Sequence, residues 1–333
     1  MSLRSRLLTS LSAAKPGAQR AASGDAVSAL RETWSRYPSE WSQDPKLNLG
    51  AATLGEEWGG PAFADHLVEL VAEYLGQTVD VLELGCGGGK FSQRLASRCR
   101  SLLCTDISPA MIDHTRESLS RQGLEGNVRF LVLNGIDFSG VPDASVDFVF
   151  SYDVLLHLQP QNVFSYMLDA RRILRGDGVF MLHQINLAST GGMQHFLGQY
   201  SGQTWRYGFE DPRRRGHIYF MGEDQLRALA EQAGLVVERV VTDHGDFDGV
   251  TSGRDIVAFL RRRRSRLRDA QGEVALVKAR DSATIYALLD GRRHAISNAG
   301  QFERAGLRWD RVRELGDGEL AAIPDGGPLE AWE

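Results

Sequence analysis

From about residue 60 to 262 the apolar positions alternate between two periods, one near 3.6 and one a short continuous run. Residues 61–76 carry Phe63, Leu67, Leu70, Val71 and Leu75 as a helical stripe, with Pro61 suited to a first turn and Gly76 to an end. "DVLELG" (80–85) is a short apolar strand, followed by glycines and a helix through Leu95. "SLLCTD" (101–106) is the next strand. The helix after it has Ser108 as N-cap, Pro109 at its first position and Gly123 at its end. "VRFLVLNG", "VDFVFS" and "GVFMLHQ" are three further strands, the last two separated by a helix with Val163, Met167, Ala170 and Leu174 on one face. A helix over 223–233 precedes "GLVVERVV" and "RDIVAFLRR". The Gly/Asp-rich connection between those two strands leaves no room for a crossover helix, so they are expected to run antiparallel.

Seven strands interleaved with amphipathic helices give an α/β class: a doubly wound, mostly parallel seven-stranded sheet. After the basic run "RRRRSRLR" (261–268), read as a solvated strand end and linker, the pattern changes to "EVALVKA", "ATIYALLDGRRHAI" and Asp/Gly-rich turns. This is a small β-rich module. The expected organisation is a disordered basic N-terminus over 1–25, a main domain over 26–262 and the C-terminal module over 269–333.

Composition adds exclusions. The 333 residues are 42% apolar and 24% charged with a formal net charge of −5, which gives no global case for nucleic acid. No apolar run reaches the roughly 18 residues of a membrane span. Residues 1–23 hold Arg4, Arg6, Lys15 and Arg20 without an acid; this suits an organelle transit peptide or, more simply, a basic frayed end. Cys86, Cys99 and Cys104 show no metal spacing, so buried reduced thiols and a cytoplasmic location are expected. The preference for Arg over Lys suits a high-GC bacterial gene.

The chemistry is concentrated after the first strand. "VLELGCGGGKFSQRLA" places Gly85, Gly87 and Gly89 at the carboxyl end of that strand, where open parallel sheets bind ligands. Glycine lets a ligand approach bare backbone. A dinucleotide loop of the G-x-G-x-x-G kind wants a small residue at 90, where Lys90 stands. Glu83 lies on the strand before the glycines. Asp106 ends the second strand, where a carboxylate can accept both hydroxyls of a ribose.

With these residues the chain, from about 80 to 260, resembles the class I S-adenosylmethionine-dependent methyltransferases. "ELGCGGG" resembles the family's acidic glycine loop, "CTDISPAMI" its ribose-binding acid, "NGIDFSGVPDASVDFVFS" its adenine loop and lead into strand four, and "RRILRGDGVFML" its entry to strand five. The resemblance implies a Rossmann-like fold and S-adenosylmethionine as cofactor. It implies contacts from Glu83, Gly85, Gly87, Gly89, Asp106, Ile107, Ser151 and the loop Gly135, Ile136 and Asp137. Gly135 departs from the family's usual Asp or Asn, which shifts adenine recognition to the backbone there.

Methyl transfer needs an aligned acceptor and often a base. His183, at the end of strand five, is the preferred base because its pKa lies near neutrality. Asp153 would orient it or bind substrate, and His157 either assists or packs. Gln184 and the segment with Tyr200, Trp205, Arg206 and Tyr207 form the expected acceptor wall, with a self-packed lid as the alternative. Short likenesses in "SYDVLLHL" and "LHQINL" point to O-methylation of a sugar, glycan or small-molecule hydroxyl. Methylation of N, S or C on a bacterial metabolite, or a non-catalytic cofactor-binding scaffold, are the alternatives. Partners are then a small acceptor and, through the C-terminal module, a protein; no metal is expected. Nucleic acid is disfavoured because strand four lacks an "N-P-P-Y"-like end.

Overall fold

The computed structural model describes residues 16–44, 53–57, 59–199, 218–242, 253–262, 275–289, 292–296, 298–304 and 307–328. They divide into two compact units, Met1–Arg262 and Arg263–Glu333.

The first unit holds a seven-stranded sheet. Its strands are β1 (Gly76–Leu84), β2 (Cys99–Asp106), β3 (Val128–Val132), β4 (Val146–Ser151), β5 (Leu174–Ile185), β6 (Leu235–Val241) and β7 (Asp255–Arg262). The order is β3-β2-β1-β4-β5-β7-β6. β1 to β5 pair in parallel, and β7 is antiparallel to both β5 and β6. The expected antiparallel pair is therefore present, and it closes one edge of the sheet. The order reverses between β1 and β4, so the crevice at their carboxyl ends is the natural ligand site.

Alternation along the strands supplies two cores. Leu82, Leu84, Val149, Phe180 and Leu182 face α5 (Pro160–Ile173) and α7 (Glu223–Gln232). Val81, Phe148, Phe150, Met181 and Phe259 face α2 (Gly60–Leu70) and α4 (Pro109–Arg121). Both faces of a parallel sheet are thus covered, which is why these strands read as continuous apolar runs. Cys86, Cys99 and Cys104 are free and buried on the α2/α4 side.

At the amino ends of the strands a clamp of charges ties neighbours together. Asp80 on β1 accepts hydrogen bonds from Arg100, Ser101 and Arg175, and Arg175 also reaches Asp147 at 2.6 Å. Arg100, with Ser101 and Arg175, holds the Asp80 carboxyl well below the usual carboxylate range against the opposing pull of burial.

Several boundaries differ from the periodic reading. Gly76 opens β1 rather than closing a helix, because α2 stops at Leu70 and a 3-10 turn over Ala72–Tyr74 follows. The helix after the glycines, α3 (Ser92–Leu95), is a single turn. Residues 16–25, expected to be disordered, begin a helix, α1 (Pro16–Gln43). From residue 27 its apolar positions are Val27, Leu30, Trp34, Tyr37 and Trp41, alternately three and four apart. Tyr37 and Trp41 bury against Leu54 and Met111. Burial of that stripe, rather than helix propensity, holds α1 through Pro38. Arg261 of the basic run extends β7, pairing with Glu238 and the Asp177 carbonyl; residues 263–268 lie outside the described residues.

The second unit carries β8 (Ala275–Ala279), β9 (Tyr286–Leu289), β10 (Arg292–Ala295), β11 (Val312–Leu315) and β12 (Asp325–Pro328) in the order β11-β8-β9-β10-β12. Its core is Leu276, Ile285, Ala287, Ile296 and Phe302. Among the described residues, no helix is long and apolar enough to cross a membrane.

Candidate functional site

The glycine loop is shaped by backbone conformation and close approach. Gly85, Gly87 and Gly89 have φ of 74°, 54° and 92°, a region that side chains other than glycine seldom occupy. A Cβ on Gly85 would stand 2.3 Å from Val154 Cγ2, whereas one on Gly87 would meet nothing within 4 Å. A Cβ on Gly88 would stand 2.4 Å from Leu54 Cβ, so the loop has two glycines forced by packing and one beside open space.

Asp106 locks this loop. Its Oδ2 accepts from Gly87 N at 3.1 Å and its Oδ1 from Ser108 N at 2.8 Å. Each carboxylate oxygen keeps a further lone pair for a hydroxyl. Burial pushes the Asp106 carboxyl up to about 6, against the lowering effect of those backbone bonds. Glu83 is fully buried beneath. Its Oε2 accepts from Ser92 Oγ at 2.5 Å, while Oε1 has no partner among the described residues. Burial raises this carboxyl to about 7 despite the bonds from Ser92 and Cys104.

The third-strand loop supports the same crevice. Gly135 has φ 83°, and a Cβ there would lie 2.6 Å from Ile107 Cδ1 and 3.1 Å from Val27 of α1. Ile136 is exposed. The Oδ1 of Asp137 is committed to its own loop, accepting from Asn134 Nδ2 and Ser139 N at 2.7 and 2.9 Å. α1 crosses here: Arg31 donates to the carbonyls of Ile107 and Leu133 at 3.1 and 3.4 Å, and Ser35 Oγ lies 3.0 Å from Ser108 Oγ.

Beyond β4 the chain turns through Asp153, whose φ of 58° is uncommon for any residue with a Cβ. Its carboxylate is 38% exposed, and Oδ1 lies 3.1 Å from His183 Nδ1. His183 itself is only 2% exposed, with Tyr152 stacked on it at 4.0 Å and Asp255 Oδ2 3.7 Å from its Nε2. The expectation that strand-end placement aims His183 into the cleft is thus corrected: the Tyr152 ring covers the imidazole, and Asp153 is the exposed member. Burial pulls the His183 pKa down, but the two carboxylates outweigh it and carry it to about 9. A raised pKa of this kind adds stability that is complete below the ordinary histidine range and is lost as pH rises through about 9.

Lys90 is buried between the rings of Phe63 and Phe91, 5.2 and 5.1 Å from their centroids. Burial lowers its pKa, while Asp153, Glu57 and Glu56 oppose this. His157, in a 3-10 turn, places its ring 5.4 Å from Trp34 of α1. Ser151 and Gln184 are buried, and Ser151 Oγ and Gln184 Nε2 lack partners among the described residues. Tyr200, Trp205, Arg206 and Tyr207 lie outside the described residues. Sequence reading missed Arg31, Arg254 and Asp255. Asp255 stands where β7 begins, next to Arg254 in "GRDIVAF", and an acid opening an apolar strand was the available signal.

Residues 82–182 match the family model described as a methyltransferase domain. Two relatives are similar over part of the chain. A probable S-adenosylmethionine-dependent methyltransferase of Mycobacterium tuberculosis is 29% identical over 158 residues, covering 47% of this chain and 48% of that protein. An uncharacterized methyltransferase of Schizosaccharomyces pombe is 30% identical over 171 residues, covering 50% and 62%. The chain thus spans about half the length of the first and under two thirds of the second. Among solved structures, magnesium protoporphyrin IX methyltransferase of Synechocystis, with bound S-adenosylhomocysteine, superposes with a TM-score of 0.51 at 18% identity. That match covers 70% of this chain and 97% of the other, and it concerns the fold.

Residues 82–182 carry a methyltransferase domain, similar to S-adenosylmethionine-dependent methyltransferases.

The family's cofactor fits what this domain presents. The open side of Gly87 admits a ligand to bare backbone, Asp106 offers lone pairs to a diol, and the orphaned Glu83 Oε1 is an acceptor for a cation or donor nearby. Acidity at Asp106 has a measurable consequence. As pH falls from about 8 to about 5 the carboxyl protonates, and hydroxyls lose a charged acceptor. Calorimetry is expected to show S-adenosylhomocysteine binding weakened several-fold at the lower pH. Fold stability at this spot changes in the opposite sense, because a raised carboxyl pKa favours the folded state on the acid side.

Proposed function

We propose that the protein transfers the methyl group of S-adenosylmethionine to a hydroxyl of a small molecule, sugar or glycan, with Asp153 as the residue that meets the acceptor. One observation carries this reading. Val154 packs against the bare face of Gly85, so its neighbour Asp153 presents a half-exposed carboxylate beside the cofactor loop.

In this reading the loop Gly85–Gly87–Gly89 and Glu83 hold the amino-acid part of the cofactor, and Asp106 its ribose. Ile107, Gly135 and Ile136 flank the adenine. When bound, the cofactor supplies an electrophilic methyl on sulfur. Asp153 accepts a hydrogen bond from the acceptor hydroxyl and fixes its oxygen in line. The hydroxyl proton becomes strongly acidic as the new C–O bond forms, so even a carboxylate of lowered pKa can take it and pass it to water. His183 does not touch the acceptor; it holds Asp153. This exchanges the roles that the sequence reading gave to the two residues.

An amine acceptor is the second reading. Asp153 is kept ionised by His183 and Lys90, although burial opposes this, and a fixed carboxylate also suits an ammonium group. Turnover to S-adenosylhomocysteine, measured on matched panels of sugar hydroxyls, phenols and amines, separates the two. Asp153→Asn is expected to lower turnover about 100-fold while leaving cofactor affinity within about twofold. Cofactor binding without turnover on any panel would favour a non-catalytic binding protein.

A further inference from the structure

The imidazole of His183 has a carboxylate at each nitrogen. On one side Asp153 Oδ1 lies 3.1 Å from Nδ1; on the other, Asp255 Oδ2 lies 3.7 Å from Nε2. Asp255 is 7% exposed and is itself gripped in a fork by Arg254, Nε to Oδ1 at 2.8 Å and Nη2 to Oδ2 at 2.7 Å. Tyr152 covers the ring face at an interplanar angle of 3°. A neutral imidazole carries one N–H and can serve only one of the two carboxylates, leaving the other facing a lone pair. An imidazolium serves both. The Asp153 backbone N–H also lies 3.3 Å from Nδ1, a contact that only a ring with a lone pair at Nδ1 could accept. The shorter carboxylate contact and the second anion both favour the charged ring.

We propose that Asp255, braced by Arg254, is a positioning residue that keeps His183 as an imidazolium, and that this imidazolium fixes the Asp153 carboxylate toward the acceptor. The charges then alternate from Lys90 through Asp153, His183 and Asp255 to Arg254. Such a line lets each buried charge be compensated by its neighbours. The groups that act on the ring are Asp153 beyond β4 and Asp255 at the head of β7; Arg254 acts on both carboxylates, and Lys90 from the glycine loop acts on Asp153. Tyr152 stacks on the ring, and His195 of α6 (Thr190–Gln199) lies within the field of Arg254 and Asp255. The inference rests on the reading that Asp153 meets the acceptor, but its test does not.

The test is a ring-nitrogen NMR titration of the full chain labelled in histidine, with the His183 signals assigned by their loss in His183→Gln. In the unsubstituted protein His183 is expected to stay doubly protonated past neutrality and titrate near 9. Removing an anion beside an imidazolium lowers its pKa, so in Asp255→Asn the midpoint should fall by about one unit or more, a tenfold loss in proton affinity. Asp255→Glu should restore most of it. S-adenosylhomocysteine affinity, read by calorimetry, should be unchanged in both variants, which also reports that they are folded. An unshifted midpoint in Asp255→Asn would overturn the assignment. So would a His183 ring that is neutral at about pH 7 in the unsubstituted protein, a result that does not depend on either Asp255 variant. Failure of cofactor binding in every form would instead count against the methyltransferase reading and leave the titration to decide the role of Asp255.

Discussion

Replacing Asp106 with alanine is expected to weaken S-adenosylhomocysteine binding by at least about 100-fold, close to 2.7 kcal/mol. The side chain acts twice. Its two oxygens hold the backbone N–H groups of Gly87 and Ser108, so the loop loses the anchor that keeps Gly87 open. In the proposed function the same oxygens also accept from the ribose, and hydrogen bonds to a charged group contribute about 1.5–3 kcal/mol each. Thermal stability should change little. A buried carboxyl raised to about 6 is a group whose ionised form the fold holds at some expense, so removing it relieves a cost as it breaks bonds. Asn at this position, which can still accept at one oxygen, should fall between. Calorimetry on the three proteins checks the order; equal affinities would remove Asp106 from the cofactor site.

The second large effect is expected at Gly85. Alanine there must adopt φ near 74° and set its methyl 2.3 Å from Val154 Cγ2 and 3.2 Å from Val154 Cβ. Backbone strain and overpacking together should cost about 2–4 kcal/mol of stability. Most of the steric part should vanish in a Val154→Ala background, leaving the backbone part of about 1 kcal/mol. Denaturant unfolding of the two single variants and the double variant measures the coupling. Strict additivity would mean that the loop and the Asp153 turn are not in the contact described. Because Val154 adjoins Asp153, Gly85→Ala should also disturb the Asp153 turn, the acceptor side in the proposed function.

The sheet was legible because burial on both faces leaves short apolar runs bounded by turn residues, as in "VDFVFS" and "GVFMLHQ". The glycine loop and its neighbouring acids were legible because clustered glycines and acids at strand ends are chemically conspicuous. α1 was overlooked for a physical reason: Pro38 and the Ser23–Gly24 pair lower its propensity, and its stripe, though spaced as a helix face, gains its core character only by packing on Leu54 and Met111. The orientation of His183 was illegible too. Strand periodicity tells which face a side chain takes, but not that a stacked Tyr152 will cover it. Asp255 escaped notice because its partner lies across the sheet, 72 residues away in the chain.

The clamp around Asp80 lies at the opposite ends of the strands from Asp106, Asp153 and the glycine loop. Four steps along β1, about 13 Å at strand rise, separate Asp80 from the strand's carboxyl end at Leu84. Anchorage and the proposed chemistry therefore occupy different poles of the same scaffold. Loops at the reactive pole can lengthen, shorten or change sequence over evolutionary time while the opposite pole keeps the strands in register. Drift in acceptor preference is then cheap for this architecture, and the loops joining strands to helices are where it would accumulate.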